Sequence, residues 1–176
     1  MAASEPAKSA VASSKEKVAI CPGTFDPPHY GHLDVIRRSA RIFDRVIVAV
    51  YDKPAKGVLF DTNERVQLVR EALADQANVE VESYSGLTVT YAADLGARAI
   101  IRGLRATADF EFEFQLALMN RHLSPQIEAL FLMTASQHAH LSSTLVKEVA
   151  RLGGDLHGLV PDHVATALTE KWGLSL

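Results

Sequence analysis

The chain has 176 residues, 48% hydrophobic and 22% charged, with a formal net charge of −3. That length suits one domain with a substantial core, and the mild acidity excludes a broad basic face for nucleic acid. A single cysteine, Cys21, excludes an internal disulfide and fits a reducing compartment such as the cytoplasm, and no apolar run approaches the ~20 residues that span a bilayer.

Residues 1–16 are rich in Ala, Ser and Lys without the apolar stretch of a secretory signal. They read as a disordered tail ahead of one domain over 17–174. Lys17–Cys21 and Arg45–Tyr51 (RVIVAVY) are nearly continuous β-branched runs, the pattern of strands covered on both faces. Between them Leu33, Ile36, Ala40 and Phe43 recur at helical spacing, which makes a β-α-β unit with an expected right-handed crossover. Asp61–Ala74 predicts a helix with Val66, Val69 and Leu73 on one face and Asp61 or Thr62 as its cap. Asn78–Tyr84 alternates as a strand, Val89–Gly96 reads as a helix, and Ala99–Ile101 as a short strand. Ala108–His122 is helical, with Phe110, Phe112 and Phe114 read as packing residues, and Ile127–Met133 is a fifth strand. Ser142–Leu152 is a helix ended by Gly153-Gly154, and Pro161 opens the last helix from its first turn. Strands alternating with helices predict an α/β fold: a single doubly wound, Rossmann-like domain with a five-stranded parallel sheet and helices on both faces.

In such sheets ligands bind beyond the carboxyl ends of the strands. Three segments then share one mouth: PGTFDPPHYGH after the first strand, RGLRATAD after the fourth and TASQHAHLSST after the fifth. Gly31-His32 stands at a helix entry, where free amides and the helix dipole favour an anion. Gly31 permits close approach, His32 offers a donor whose charge is expected to respond near neutral pH, and Thr24 offers a hydroxyl. Arg102 and Arg105 around Gly103-Leu104 suit bidentate phosphate binding, although the same arginines could bridge to Asp109 or Glu113. Ser142, Ser143 and Thr144 combine an N-cap with further hydroxyls at a helix mouth. His138-Ala139-His140 lacks a third nearby ligand, so no metal site is read there. Cys21, in an apolar run, reads as a core thiol.

HYGH resembles the HxGH signature of the nucleotidyltransferase superfamily, and the preceding PGTFDP narrows the likeness to the phosphopantetheine adenylyltransferases. IRGLRATADFEFEFQLALMNRHL (101–123) and LSSTLVKEVA (141–150) are similar to that family's later blocks, and the resemblance covers about residues 17–172. It implies transfer of an adenylyl group from ATP, with Mg²⁺, to 4′-phosphopantetheine. The implied catalytic set is His32, Lys56, Arg105 and Thr24. The implied ATP contacts are Thr24, Phe25, His32, Gly103, Leu104, Arg105, Glu113, the run His138, Ala139, His140 and Leu141, and Ser142, Ser143 and Thr144. The acceptor is implied to meet Thr24, Lys56, Leu87, Thr88 and Arg102. On its residues alone Lys56 is a solvated loop lysine, and only its likeness to the family's lysine lifts it. His138 and His140 depart from an aromatic-rich version of their segment, and Thr88 stands where an apolar residue is frequent. The resemblance further implies a homohexamer, a dimer of trimers, with coenzyme A as feedback ligand. HxGH and SST are shared with nicotinate-mononucleotide adenylyltransferases and cytidylyltransferases, which remain the alternative together with a non-catalytic nucleotide-binding module. The RGLRATADFEFE block and the Lys56 segment separate the first reading from these.

Overall fold

The computed structural model describes residues 16–55, 57–105 and 107–173. Lys56 and all of the expected tail except Glu16 lie outside the described residues. In chain order the elements are β1 (Val18–Gly23), α1 (Tyr30–Ala40), β2 (Arg45–Tyr51), α2 (Thr62–Ala72), β3 (Val79–Tyr84) and α3 (Thr88–Asp94). They continue with β4 (Ala99–Leu104), α4 (Thr107–Leu123), β5 (Glu128–Met133), α5 (Ser143–Arg151) and α6 (Asp162–Lys171). The five strands form one parallel sheet in the order β3-β2-β1-β4-β5, so the expected doubly wound arrangement is present.

Burial explains the order. The central β1 and β2 carry Ile20, Val46, Ile47, Val48 and Val50, all fully buried, because helices cover both of their faces. Ala19, Cys21, Val48 and Ile101 pack on one face with α1 and α2, while Ile20, Ile47 and Ile100 pack on the other with Val89 and Ala92 of α3. A third cluster joins α5 and α6 to Phe60 and Leu68. The strand order reverses beside β1, since β2 and β4 flank it on opposite sides, and such a reversal opens a crevice at the carboxyl ends.

Several sequence expectations are corrected. β4 runs on to Leu104, because Arg102, Gly103 and Leu104 pair with Phe131, Leu132 and Met133 of β5. The first half of RGLRATAD is therefore rigid strand, not loop. In α2 the expected Val69 and Leu73 are buried and Val66 packs against the same cluster, while Arg65, Leu68 and Ala72 widen the buried face beyond the expected one. Asp61 is the α2 cap: its side chain accepts from Glu64 N and the Glu64 carboxylate accepts from Asp61 N, a reciprocal capping box. Pro161 sits at the N-cap of α6 in an extended conformation, not in the first turn. Phe110, Phe112 and Phe114 are 45%, 66% and 47% exposed, beside exposed Leu118, Met119 and Leu123 of the same helix, and Phe110 stacks on Phe114 with ring centroids 5.7 Å apart.

Candidate active site

Two adjoining cavities open at the carboxyl edge of the sheet. One, of about 370 Å³, is lined by Thr24, Phe25, His29, His32, Gly103, Arg105 and Ser142–Thr144. The other, of about 210 Å³, lies between the sheet and α4 and is lined by Tyr51, Tyr84, Thr88, Leu116, Asn120 and Phe131. Pro22, Gly23, Thr24, Arg102 and Glu113 belong to both, so the end of β1 is their common wall.

The loop from β1 to α1 is shaped by close packing. Phe25 adopts φ +52°, a region costly for a side chain with a Cβ, and its buried ring lies across Gly23. A Cβ on Gly23 would stand 2.8 Å from that ring. The edge of Phe25 meets His32 with ring centroids 5.1 Å apart, and His29 stacks on His32 at 3.7 Å. Gly31 is required for the same reason: a Cβ there would stand 3.1 Å from the His29 ring and 3.4 Å from the His138 carbonyl. The HYGH stretch is thus a pair of stacked imidazoles with a gap left for the first.

Both imidazoles are neutral at pH 7. Burial lowers the His29 pKa from the ordinary 6.5 to about 3, with the charges of Arg105 and His138 adding to the effect. Burial also holds His32 well below 6.5, followed by His29, Arg105 and Arg102. The expected charge response of His32 near neutral pH is therefore overturned by its surroundings. The backbone N–H of His29 donates to Nδ1 of His32 at 3.3 Å, which leaves the single proton of the neutral ring on Nε2. These shifts fix a sign for acid stability. Folding lowers both pKa values, so the unfolded chain takes up protons first as pH falls below 6.5. Stability is complete above that value and declines as pH falls, for His29 toward its folded value of about 3 by up to about 1.4 kcal/mol per pH unit, with His32 acting in the same direction. Urea titrations between pH 7 and 4.5 are expected to show this decline, and His29→Asn should flatten it; equal pH slopes in both proteins would refute the assignment.

Arg102 and Arg105 have different surroundings. Arg102 donates from Nε and Nη2 to the two oxygens of Glu113 at 2.8 and 2.5 Å, and from Nη1 to Pro22 O at 2.8 Å. The bridge to Glu113, one of two readings of the sequence, is formed. One N–H on each terminal nitrogen of Arg102 is outside these three bonds. Arg105 donates from Nη1 to Leu141 O at 2.7 Å, which ties the end of β4 to the segment before α5. Ser142 caps α5 by accepting from Leu145 N at 3.1 Å, and Ser143 Oγ donates to Pro27 O at 2.9 Å.

Of the remaining sequence candidates, Thr88 lines the smaller cavity and its hydroxyl pairs with Tyr84 OH at 2.8 Å. Leu87 is 62% exposed at the N-cap of α3 and is not in that lining. Leu104 and Leu141 are buried, His138 stacks on Tyr30 at 5.9 Å, and these three, with Ala139 and His140, are not in the lining of the larger cavity. Cys21 is buried, and burial pushes its thiol up to about 12, so it has no thiolate to offer.

Sequence reasoning set His29 aside, as the more variable half of the HxGH signature, and missed three further residues. His29 is 3% exposed and forms part of the cavity wall; its own position in HYGH was the signal. Arg65 is wholly buried and donates to Thr24 O and Tyr51 O, both at 2.8 Å. Its signal was the helical stripe 65, 68, 69, 72. Buried Asp26 and half-buried Lys147 form an ion pair, for which a sequence separation of 121 gives no local signal. Among the described residues, no group of three or more His, Cys, Asp or Glu side chains is placed to hold a metal ion.

The cytidylyltransferase-like family profile matches residues 20–149. A phosphopantetheine adenylyltransferase of Caldanaerobacter subterraneus subsp. tengcongensis is 53% identical over 156 residues, covering 89% of this chain and 98% of that protein. One from Thermomicrobium roseum is 54% identical over 157 residues, covering 88% and 94%. A crystal structure from Vibrio parahaemolyticus, provisionally assigned as a nicotinate-nucleotide adenylyltransferase, superposes with a TM-score of 0.66 over 88% of this chain and 99% of that one. At 20% identity that likeness concerns the fold alone. Identity above one half along nearly the full length of both chains, on a sheet whose switch point carries the HYGH stretch, makes this chain a member of the phosphopantetheine adenylyltransferase family.

Proposed function

We propose that the chain transfers the adenylyl group of ATP to 4′-phosphopantetheine, giving dephospho-coenzyme A and pyrophosphate in coenzyme A biosynthesis. The observation that carries this reading is the junction of two unlike cavities at Thr24, Arg102 and Glu113. The larger offers imidazole, hydroxyl and guanidinium groups, which suit a polyphosphate. The smaller offers Tyr51, Tyr84, Leu116 and Phe131 with a few hydroxyls and an amide, which suit an extended, partly apolar arm.

The acceptor phosphate has a second pKa of about 6, so it is already a dianionic nucleophile at neutral pH. One of its oxygens attacks the α-phosphorus in line, the bond to the bridging oxygen breaks, and pyrophosphate leaves with the electron pair. The chain's part is positioning and stabilisation of charge. In this reading His32 donates from Nε2 to the phosphates as charge builds, with Thr24 and Phe25 at the α-phosphate. Gly103, Leu104 and Arg105 hold the polyphosphate from the β4 side, and Ser142, Ser143 and Thr144 meet it from the mouth of α5. Glu113 faces the ribose, and His138 to Leu141 the adenine. Lys56 and Arg102 receive the acceptor phosphate, and Leu87 and Thr88 its arm. Mg²⁺ enters with ATP: the carboxylates nearest the cavity, Glu113 and Asp26, are each paired with a cation, and Mg²⁺ is commonly carried by substrate phosphates.

The same reading includes a homohexamer, a dimer of trimers. The apolar face of α4, with Phe112 66% and Met119 56% exposed, supports burial against further copies. Coenzyme A, which shares the pantetheine arm, is the proposed feedback ligand, and the domain is taken to span 17–174. No described helix is long and apolar enough to cross a membrane.

Incubation with ATP, Mg²⁺ and 4′-phosphopantetheine is expected to yield pyrophosphate and dephospho-coenzyme A in equal amounts. Absence of acceptor-dependent product, or equal turnover with nicotinate mononucleotide, would overturn the assignment.

A further inference from the structure

Asp26 is a carboxylate only 3% exposed, two residues past Thr24 in the loop that enters α1. Its oxygens are fully engaged. Oδ1 accepts from Leu59 N at 3.0 Å and Phe60 N at 2.9 Å, and Oδ2 accepts from Leu59 N at 3.0 Å and from Lys147 Nζ at 2.5 Å. Lys147 stands one turn into α5, on the helix whose first residues face the larger cavity. A single side chain therefore ties together the β1–α1 loop, the Leu59–Phe60 segment and α5. The hydrogen bond from Ser143 Oγ to Pro27 O closes the same seam one turn earlier.

Stability alone does not account for such a pair. Asp26 is taken out of water while the Lys147 side chain keeps 23% exposure; the desolvation of such a pair offsets much of its attraction, and apolar side chains of similar size commonly do as well. What an ion pair adds is a fixed distance and direction. Neither Asp26 nor Lys147 lines either cavity, so neither is placed to touch a ligand. Thr24 and Phe25 on one side of the seam, and Ser142, Ser143 and Thr144 on the other, all do line the larger one. The seam thus sets how far the mouth of α5 stands from the end of β1.

We propose that Asp26 and Lys147 are positioning residues that hold the N-terminus of α5 in register with the β1–α1 loop, so that its amides and hydroxyls meet the departing pyrophosphate as charge develops on it. This rests on the adenylyl-transfer reading above. A misplacement of about 1 Å at a group that acts in the transition state can cost on the order of 10²-fold in rate. Interactions realised mainly in the transition state appear in kcat more than in KM.

The test uses the full chain, with Lys147→Met, the charge-balanced double variant Asp26→Asn/Lys147→Met, and Lys147→Arg. Lys147→Met leaves a buried carboxylate unpaired and is expected to melt earlier than wild type; the double variant removes that charge and should regain most of the melting temperature. At a temperature where all are folded, both are expected to lose about 10- to 100-fold in kcat with KM for ATP within about threefold, and Lys147→Arg should keep most of the activity. Calorimetric titration with magnesium pyrophosphate should show about tenfold weaker binding in the same two variants. Recovery of kcat together with melting temperature in the double variant would reduce the pair to a structural role and overturn the proposal. So would pyrophosphate affinity within twofold of wild type in both variants. If the wild type makes no dephospho-coenzyme A, the substrate reading fails by itself, and the pyrophosphate titration still decides the pair.

Discussion

Replacing His32 with alanine is expected to lower kcat by about 10²- to 10³-fold, the loss typical of removing one preorganised donor from a developing anion. The expectation follows from what His32 is in this fold. Its Nδ1 accepts from the His29 backbone N–H, and burial keeps the ring neutral. One N–H, on Nε2, is therefore presented from a ring fixed by His29 on its face and Phe25 at its edge. A donor held this way needs no reorganisation when charge appears on the phosphates. It also has little to contribute to a ground state whose phosphates are already held by several other groups. Equilibrium affinity for ATP is accordingly expected to change less than fivefold, measured by calorimetry, while single-turnover product formation slows by the full factor. His32→Gln, which keeps an N–H donor but not the stacked ring, should fall between wild type and alanine. A kcat within threefold of wild type for His32→Ala would remove the residue from the mechanism.

The neutral state of His32 is also where sequence and structure part. HYGH, its place after a strand and its place before a helix are local facts, and they located the site. The charge of the ring depends on desolvation and on two arginines that stand about seventy positions away in the chain, which spacing does not disclose. The same division runs through the fold. β1 and β2 were legible because a strand buried on both faces has to be apolar along its length. β4 was read short because Arg102 and Gly103 resemble a loop, although their backbones continue the ladder with β5. Polarity there belongs to the ligand side and says nothing about backbone pairing. The α4 phenylalanines were read as packing residues, but a hydrophobic pattern does not state which chain covers it, and here they are exposed. Lys56 came into the candidate set by likeness alone, and it lies outside the described residues. Asp26 had no role in the sequence reading, since Leu59, Phe60 and Lys147, the partners that make it a buried anchor, are all distant in the chain.

Arg65→Met is expected to be the most destabilising single substitution in the body of the domain, costing about 3–5 kcal/mol, the range for stripping one partner from a buried charged network. Arg65 is the largest fully buried side chain in the described structure. Its guanidinium donates to Phe60 O at 3.1 Å, to Thr24 O and Tyr51 O at 2.8 Å each, and to Thr62 Oγ1 at 3.0 Å. Those carbonyls lie just past β1, at the last residue of β2 and beside the start of α2. Burial pulls the arginine's pKa below its ordinary value, and the carboxylates of Asp26, Asp52 and Asp61 pull the other way. Methionine fills a similar volume but takes this donor away from three carbonyls and removes the positive charge that Asp52 and Asp61 face. In a domain of this size the loss corresponds to a fall in melting temperature on the order of 10 °C. Lysine keeps the charge but cannot reach three carbonyls in one plane, so Arg65→Lys should lose about half as much. A melting temperature for Arg65→Met within 2 °C of wild type would show that the strand ends are held by other means. Because one of the three carbonyls belongs to Thr24, the lysine variant should also lose kcat at temperatures where it remains fully folded. That loss would tie the stability of α2 to the geometry of the site it does not line.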